Sequence, residues 1–119
     1  MITCAIAGLG RWGRALVEAI SGEPRLRIAR AIEPDSRARG FCAEHGLDLT
    51  DSFETALADP AIDAVLLATP HSLHKAQVIA AANAGKQVFC EKPLALRRAD
   101  AAAMFAASRT AGVVLAVGH

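Results

Sequence analysis

Gly8-Leu9-Gly10-Arg11-Trp12-Gly13 is the stretch of this sequence whose residue types and spacing most plainly imply chemistry. A G-x-G-x-x-G run that follows a strand and opens a helix cradles a pyrophosphate. Its first glycine permits a tight turn. The second lets the backbone approach the phosphates, and the third lets helix and strand pack closely. The anion then rests on free N–H groups at the helix N-terminus, where the dipole favours negative charge. About twenty residues further on stands Glu33, where a carboxylate can accept hydrogen bonds from an adenosine ribose. The same charge repels a 2′-phosphate, so the pattern points to NAD. Arg11, Arg30 and Arg37 keep NADP open as the alternative. Asp35, behind Pro34, reads as a turn or cap residue. Without a ligand, the same residues amount to a glycine turn and a solvated carboxylate.

These residues need elements to hold them. Apolar runs at 3–7, 26–32, 64–69, 87–90 and 113–117 read as strands, with a shorter one near 47–50. Ala64-Val65-Leu66-Leu67-Ala68 is apolar at every position, as in a parallel strand covered on both faces. Helix patterns alternate with them. Trp12, Leu16 and Ile20 predict one apolar stripe. Segments 36–45, 52–58, 72–84 and 98–111 predict further helices. Gly46, Gly85 and Gly112 close three of these, and Ser52 and Ser72 read as N-caps. The order implies right-handed crossovers in an α/β fold. The predicted architecture is a doubly wound parallel sheet of about six strands, with helices on both faces, of Rossmann type and spanning residues 1–119.

The second half carries a more specific pattern. Thr69-Pro70 is followed by His74, and Ala84-Gly85-Lys86-Gln87-Val88-Phe89-Cys90 runs into Glu91-Lys92-Pro93. Together with the glycine loop, this resembles the N-terminal domain of the Gfo/Idh/MocA oxidoreductases along the whole chain. The resemblance implies hydride transfer between a nicotinamide cofactor and a sugar, cyclitol or related polyol. It places Lys92 near the nicotinamide and the substrate alcohol. Taking hydride from a carbinol requires a base for the hydroxyl proton, and a lysine amine can serve. The resemblance sets Thr69 and Pro70 beside the cofactor ribose and nicotinamide. Glu91 either orients the loop on the cofactor side or accepts backbone donors. His74 either approaches the cofactor or packs and caps its helix. His71 stands where many relatives have Asn. A cis bond is expected before Pro93, where the chain must turn sharply from strand to site.

Family members continue into a second α/β domain that carries most substrate contacts. The resemblance therefore implies cofactor binding for this chain and little or no turnover, with self-association of the surface the second domain would cover. A non-catalytic nucleotide-binding or redox-sensing module is the alternative. Such a module has no use for a positioned proton carrier at Lys92.

Composition narrows the partners. Apolar residues make up 53% of 119, and 13 basic against 12 acidic residues leave a net charge of +1. That balance provides no broad footprint for nucleic acid or an anionic membrane. No apolar run approaches the ~18 residues of a membrane span. The first residues lack the basic leader of a signal peptide. Cys4, Cys42 and Cys90 form no metal-ligand spacing and read as reduced core thiols of a cytoplasmic protein. The histidines likewise show no metal spacing.

Trp12 is the only tryptophan and sits inside the glycine run. Titration with NADH should quench its emission saturably, and more strongly than NADPH. A preference for NADPH would shift the weight from Glu33 to a nearby arginine.

Overall fold

A computed structural model describes residues 1–118; His119, the end of the expected domain, lies outside the described residues. Six parallel strands form one sheet in the order β3-β2-β1-β4-β5-β6. In chain order they are β1 (Ile2–Ala7), β2 (Leu26–Ile32), β3 (Asp48–Thr50), β4 (Ala64–Leu67), β5 (Gln87–Cys90) and β6 (Leu115–Val117). The helices are α1 (Arg11–Ile20), α2 (Arg39–His45), α3 (Phe53–Ala58), α4 (His74–Asn83) and α5 (Arg98–Ala111). Short 3-10 turns, Ser36–Ala38 and His71–Leu73, lead into α2 and α4. The doubly wound α/β architecture expected from the sequence is present.

Alternation along the strands divides the core in two. Ala5, Ala7, Val65, Leu67, Val88 and Cys90 face α3, α4 and α5. Cys4, Ile6, Ala31, Ala64 and Leu66 face α1 and α2. Both faces of the central strands are thereby removed from water, which is why β4 is buried at all four positions.

Several local expectations shift. The stripe of α1 is Gly13, Leu16, Val17 and Ile20, with Gly13 and Val17 buried, while Trp12 is 69% exposed. Ser72 is not an N-cap. It lies inside a 3-10 turn closed by Leu73 N–H on the Pro70 carbonyl at 2.9 Å. Strand β6 starts at Leu115 rather than 113, because the Val113 N–H is spent on the Ser108 carbonyl as α5 ends. Ser52 does cap α3, accepting from Thr55 N–H at 3.1 Å. Gly46 and Gly112 end α2 and α5 in the left-handed region, with φ of 69° and 71°.

One buried cation was not foreseen. Lys86 is 8% exposed, and its Nζ donates to the carbonyls of Asp59 at 2.9 Å and Ile62 at 2.7 Å. It satisfies the turn that delivers the chain into β4. Its aliphatic stem is buried, while the ammonium finds the acceptors that a buried charge requires.

Cys4, Cys42 and Cys90 are free and buried. Burial, reinforced by the nearby Glu91 carboxylate, pushes the Cys90 thiol up to about 12. Burial also raises Cys4 and Cys42. In the native chain an aromatic disulfide reagent at pH 8 should release no thiolate, whereas in urea all three thiols should react. A raised acid stabilises the fold below its unfolded value of 9.0. Stability should therefore fall as pH climbs from about 9 towards 12, read from urea midpoints.

Candidate functional site

Chain order reverses between β1 and β4 in this sheet, and open α/β sheets bind ligands at that point, beyond the carboxyl ends of the strands. A cleft of about 760 Å³ lies there. The end of β1 contributes Gly8 and Gly10, and α1 contributes Arg11 and Trp12. Glu33 follows β2, Asp51 and Phe53 follow β3, and Thr69 and Pro70 follow β4.

The glycines fill different roles. Gly8 has φ of 95°, and a Cβ there would meet the Ala68 carbonyl oxygen at 2.5 Å. Gly13 is packed directly against the Gly8 carbonyl, leaving no space for a side chain. Gly10 has nothing within 4 Å of an added Cβ, so its face is open to the cleft. It is the N-cap of α1, with no side-chain cap and no acidic residue in the first turn. The leading N–H groups of α1 are thus available to an anion. A phosphate-binding cofactor end fits this cradle.

Leu9 shapes the loop and does not line the cleft. Its side chain is 3% exposed, its N–H donates to Glu33 Oε1 at 2.9 Å, and its carbonyl accepts from Arg14 Nε at 2.9 Å. Glu33 Oε2 accepts from Asp35 N–H at 3.0 Å. A carboxylate has about four acceptor positions, so Glu33 retains capacity for ribose hydroxyls. Of the arginines that kept NADP open, Arg30 pairs with Asp59 at 3.4 Å and Arg37 with Asp35 at 2.7 Å. Asp35 is the cap residue expected, accepting from Arg37 N–H, and its carboxyl is lowered to about 2 by the Arg37 hydrogen bonds. Arg11 is exposed in the cleft.

Five expected residues, Thr69, Pro70, His74, Glu91 and Lys92, sit around the ends of β4 and β5. Leu67 is in register with Cys90 at the end of the ladder, so Thr69 and Lys92 each lie two residues past the last paired position. Thr69 lines the cleft, and its hydroxyl donates to Gln77 Oε1 at 2.6 Å. Lys92 is exposed, has no ion pair among the described residues, and precedes Pro93 through a cis bond, as expected. Glu91 faces β6, its carboxylate oxygens 3.2 Å from where a side chain on Gly118 would begin. His74 is 1% exposed and lies behind the cleft wall. Gly13, Glu91, Lys92 and His74 are therefore outside the cleft lining proper. Gln77, Asp51 and Phe53 were missed. Gln77 was legible as the residue four after Leu73 on α4, and the other two as the residues just past β3.

Residues 2–119 match the Gfo/Idh/MocA oxidoreductase family model, NAD-binding Rossmann fold. The chain belongs to this family. It is 38% identical over 109 residues to 1,5-anhydro-D-fructose reductase of Ensifer adhaerens, covering 91% of this chain and 32% of that protein. It is 36% identical over 123 residues to scyllo-inositol 2-dehydrogenase (NAD(+)) of Bacillus subtilis, covering 98% and 35%. Biliverdin reductase from Synechocystis sp. PCC 6803, solved with biliverdin and NADP+, superimposes with a TM-score of 0.93 at 31% identity, covering 99% and 38%. The chain thus spans about a third of the length of the relatives it matches. As a Gfo/Idh/MocA domain it carries the NAD-binding fold of an oxidoreductase family, in which one of these relatives is named for NAD(+) and another is solved in complex with NADP+.

Two substitutions separate loop geometry from ligand space. Gly10→Ala should leave stability within about 0.5 kcal/mol and weaken NADH binding at least tenfold. Gly13→Ala should cost about 3 kcal/mol through overpacking against the Gly8 carbonyl. Urea denaturation and calorimetric titration read the two effects.

Proposed function

We propose that this chain is the cofactor-binding half of an enzyme that moves hydride between a nicotinamide dinucleotide and a sugar, cyclitol or related polyol. The carrying observation is convergence on one crevice. The open N-terminus of α1, the Glu33 carboxylate and Thr69 line it, and Lys92 follows the neighbouring strand two residues past its last paired position, as Thr69 follows β4. The named relatives include a reductase of an anhydro sugar and a dehydrogenase of an inositol.

In this reading the backbone of residues 8–13 holds the pyrophosphate, and Glu33 accepts from the adenosine ribose. Glu33 favours NAD, and the pairing of Arg30 and Arg37 with acids supports that preference. When bound, the nicotinamide supplies the hydride acceptor or donor. Lys92 Nζ takes the hydroxyl proton as the carbinol becomes a carbonyl, and returns it in the reverse direction. Gln77 Oε1 fixes the Thr69 hydroxyl by accepting its hydrogen bond, leaving the hydroxyl oxygen to accept from the cofactor side.

Cytoplasmic residence and self-association belong to the same proposal. Three free, buried thiols suit a reducing compartment. No helix among the described residues is long and apolar enough to cross a membrane. On the α1 side, Ile2 is 46% exposed and Phe89 only half-buried, so the sheet offers a homo-oligomer an apolar surface.

Lys92 decides between an enzyme and a sensing module. Where the domain is joined to a substrate domain, Lys92→Ala should lower turnover by about 10²-fold or more. NADH affinity should stay within threefold. Turnover that survives the substitution would remove Lys92 from the chemistry.

A further inference from the structure

We propose that His74 is a positioning residue that clamps the end of β4 to the turn carrying Lys92. The backbone ladder between β4 and β5 stops short of the site. Its last bond runs from Glu91 N–H to the Leu67 carbonyl at 3.0 Å. Among the described residues, no backbone hydrogen bond joins residues 68–70 to residues 92–95. The His74 ring spans that gap. Its Nε2 lies 2.9 Å from the Thr69 carbonyl oxygen. Its Nδ1 lies 3.0 Å from the Pro93 carbonyl oxygen and 3.2 Å from that of Leu94.

The ring is fixed from behind. His74 is the first residue of α4 and 1% exposed, so its backbone moves only with the helix. Every group facing its nitrogens is a main-chain carbonyl, so donation to both strand ends takes an N–H on each ring nitrogen, the doubly protonated ring. No buried side-chain polar atom among the described residues lacks a partner. An imidazole is wide enough to present a nitrogen to each strand end. An aliphatic or aromatic residue of similar size would fill the space and leave the carbonyls apart. Thr69 and Lys92 belong to different strand ends, and their spacing determines where a cofactor ring and a proton carrier could meet. His74 sets that spacing without lining the cleft. The bearing of this clamp on turnover rests on the reading of Lys92 given above; the clamp itself rests on the hydrogen bonds.

The test uses backbone ¹⁵N relaxation on this chain. In His74→Phe, order parameters at Lys92, Leu94 and Ala95 should fall from about 0.85 to below about 0.6. Those of Val65, Leu67 and Val88 should be unchanged. His74→Gln, which keeps a donor, should restore most of the lost order. Order unchanged at residues 92–95, or lost evenly across core amides, would overturn the clamp. Should His74→Phe fail to fold, the unsubstituted chain still decides. A ring N–H of His74 should exchange with water at least a hundredfold more slowly than that of the exposed His71, and equal rates would overturn the proposal. Lys92→Ala separates the two readings, because it should leave the turn ordered. Turnover that survives Lys92→Ala, with the turn still loosened by His74→Phe, would reject the proton carrier and retain the clamp.

Discussion

Gly13 lies against the Gly8 carbonyl so closely that no side chain fits between them. This contact sets α1 directly over the end of β1. It allows the helix to begin within four residues of the strand and points its first N–H groups across the crevice. A larger residue would push the helix back and turn those donors away. The rest of the ligand end is arranged around that short connection. The Leu9 side chain is drawn into the core beneath α1, Gly10 is left bare, and Trp12 hangs over the opening.

Beyond the ladders, the strand ends are braced in pairs by side chains. Glu33 ties the loop after β1 to the turn after β2 through Leu9 and Asp35 N–H groups. His74 ties the end of β4 to the turn after β5. The opening lies between the two braced pairs, at the reversal of strand order. Here the sheet can no longer satisfy its own backbone groups, and charged or aromatic side chains take over. Lys86 does the same at the opposite end, holding the carbonyls that precede β4. Polar residues that appear isolated in the sequence are thus distributed where regular hydrogen bonding stops.

Much of this was legible from residue order. The apolar runs gave every strand, and the glycines at 46 and 112 marked helix ends through their left-handed backbone. The glycine loop and Glu33 were legible because local spacing defines them. What sequence spacing could not resolve depended on partners distant in the chain. His74 offered two readings, cofactor contact or helix cap, and the structure places it as a bridge to residues 19 and 20 positions away. Lys86 entered the sequence reading only as part of the run into Glu91, and its acceptors come from the turn at residues 59–62, more than twenty positions away. Trp12 was assigned to the core stripe by periodicity alone, which carries no information about where the sheet ends. Ser72 has the composition of a cap, but the preceding Pro70 starts a tighter turn that takes over that function.

The bracing of Glu33 has a kinetic side. Its carboxylate is already held by two backbone N–H groups, so its rotamer is fixed in advance. Immobilising such a side chain on binding ordinarily costs about 0.5–1.5 kcal/mol, and here that ordering is built into the fold. The same two bonds hold the loop after β1 in one shape, so entry of a ligand need not wait for a loop to rearrange. Association then includes no loop-closing step. Differences in affinity among cofactors would appear chiefly in how long each one stays.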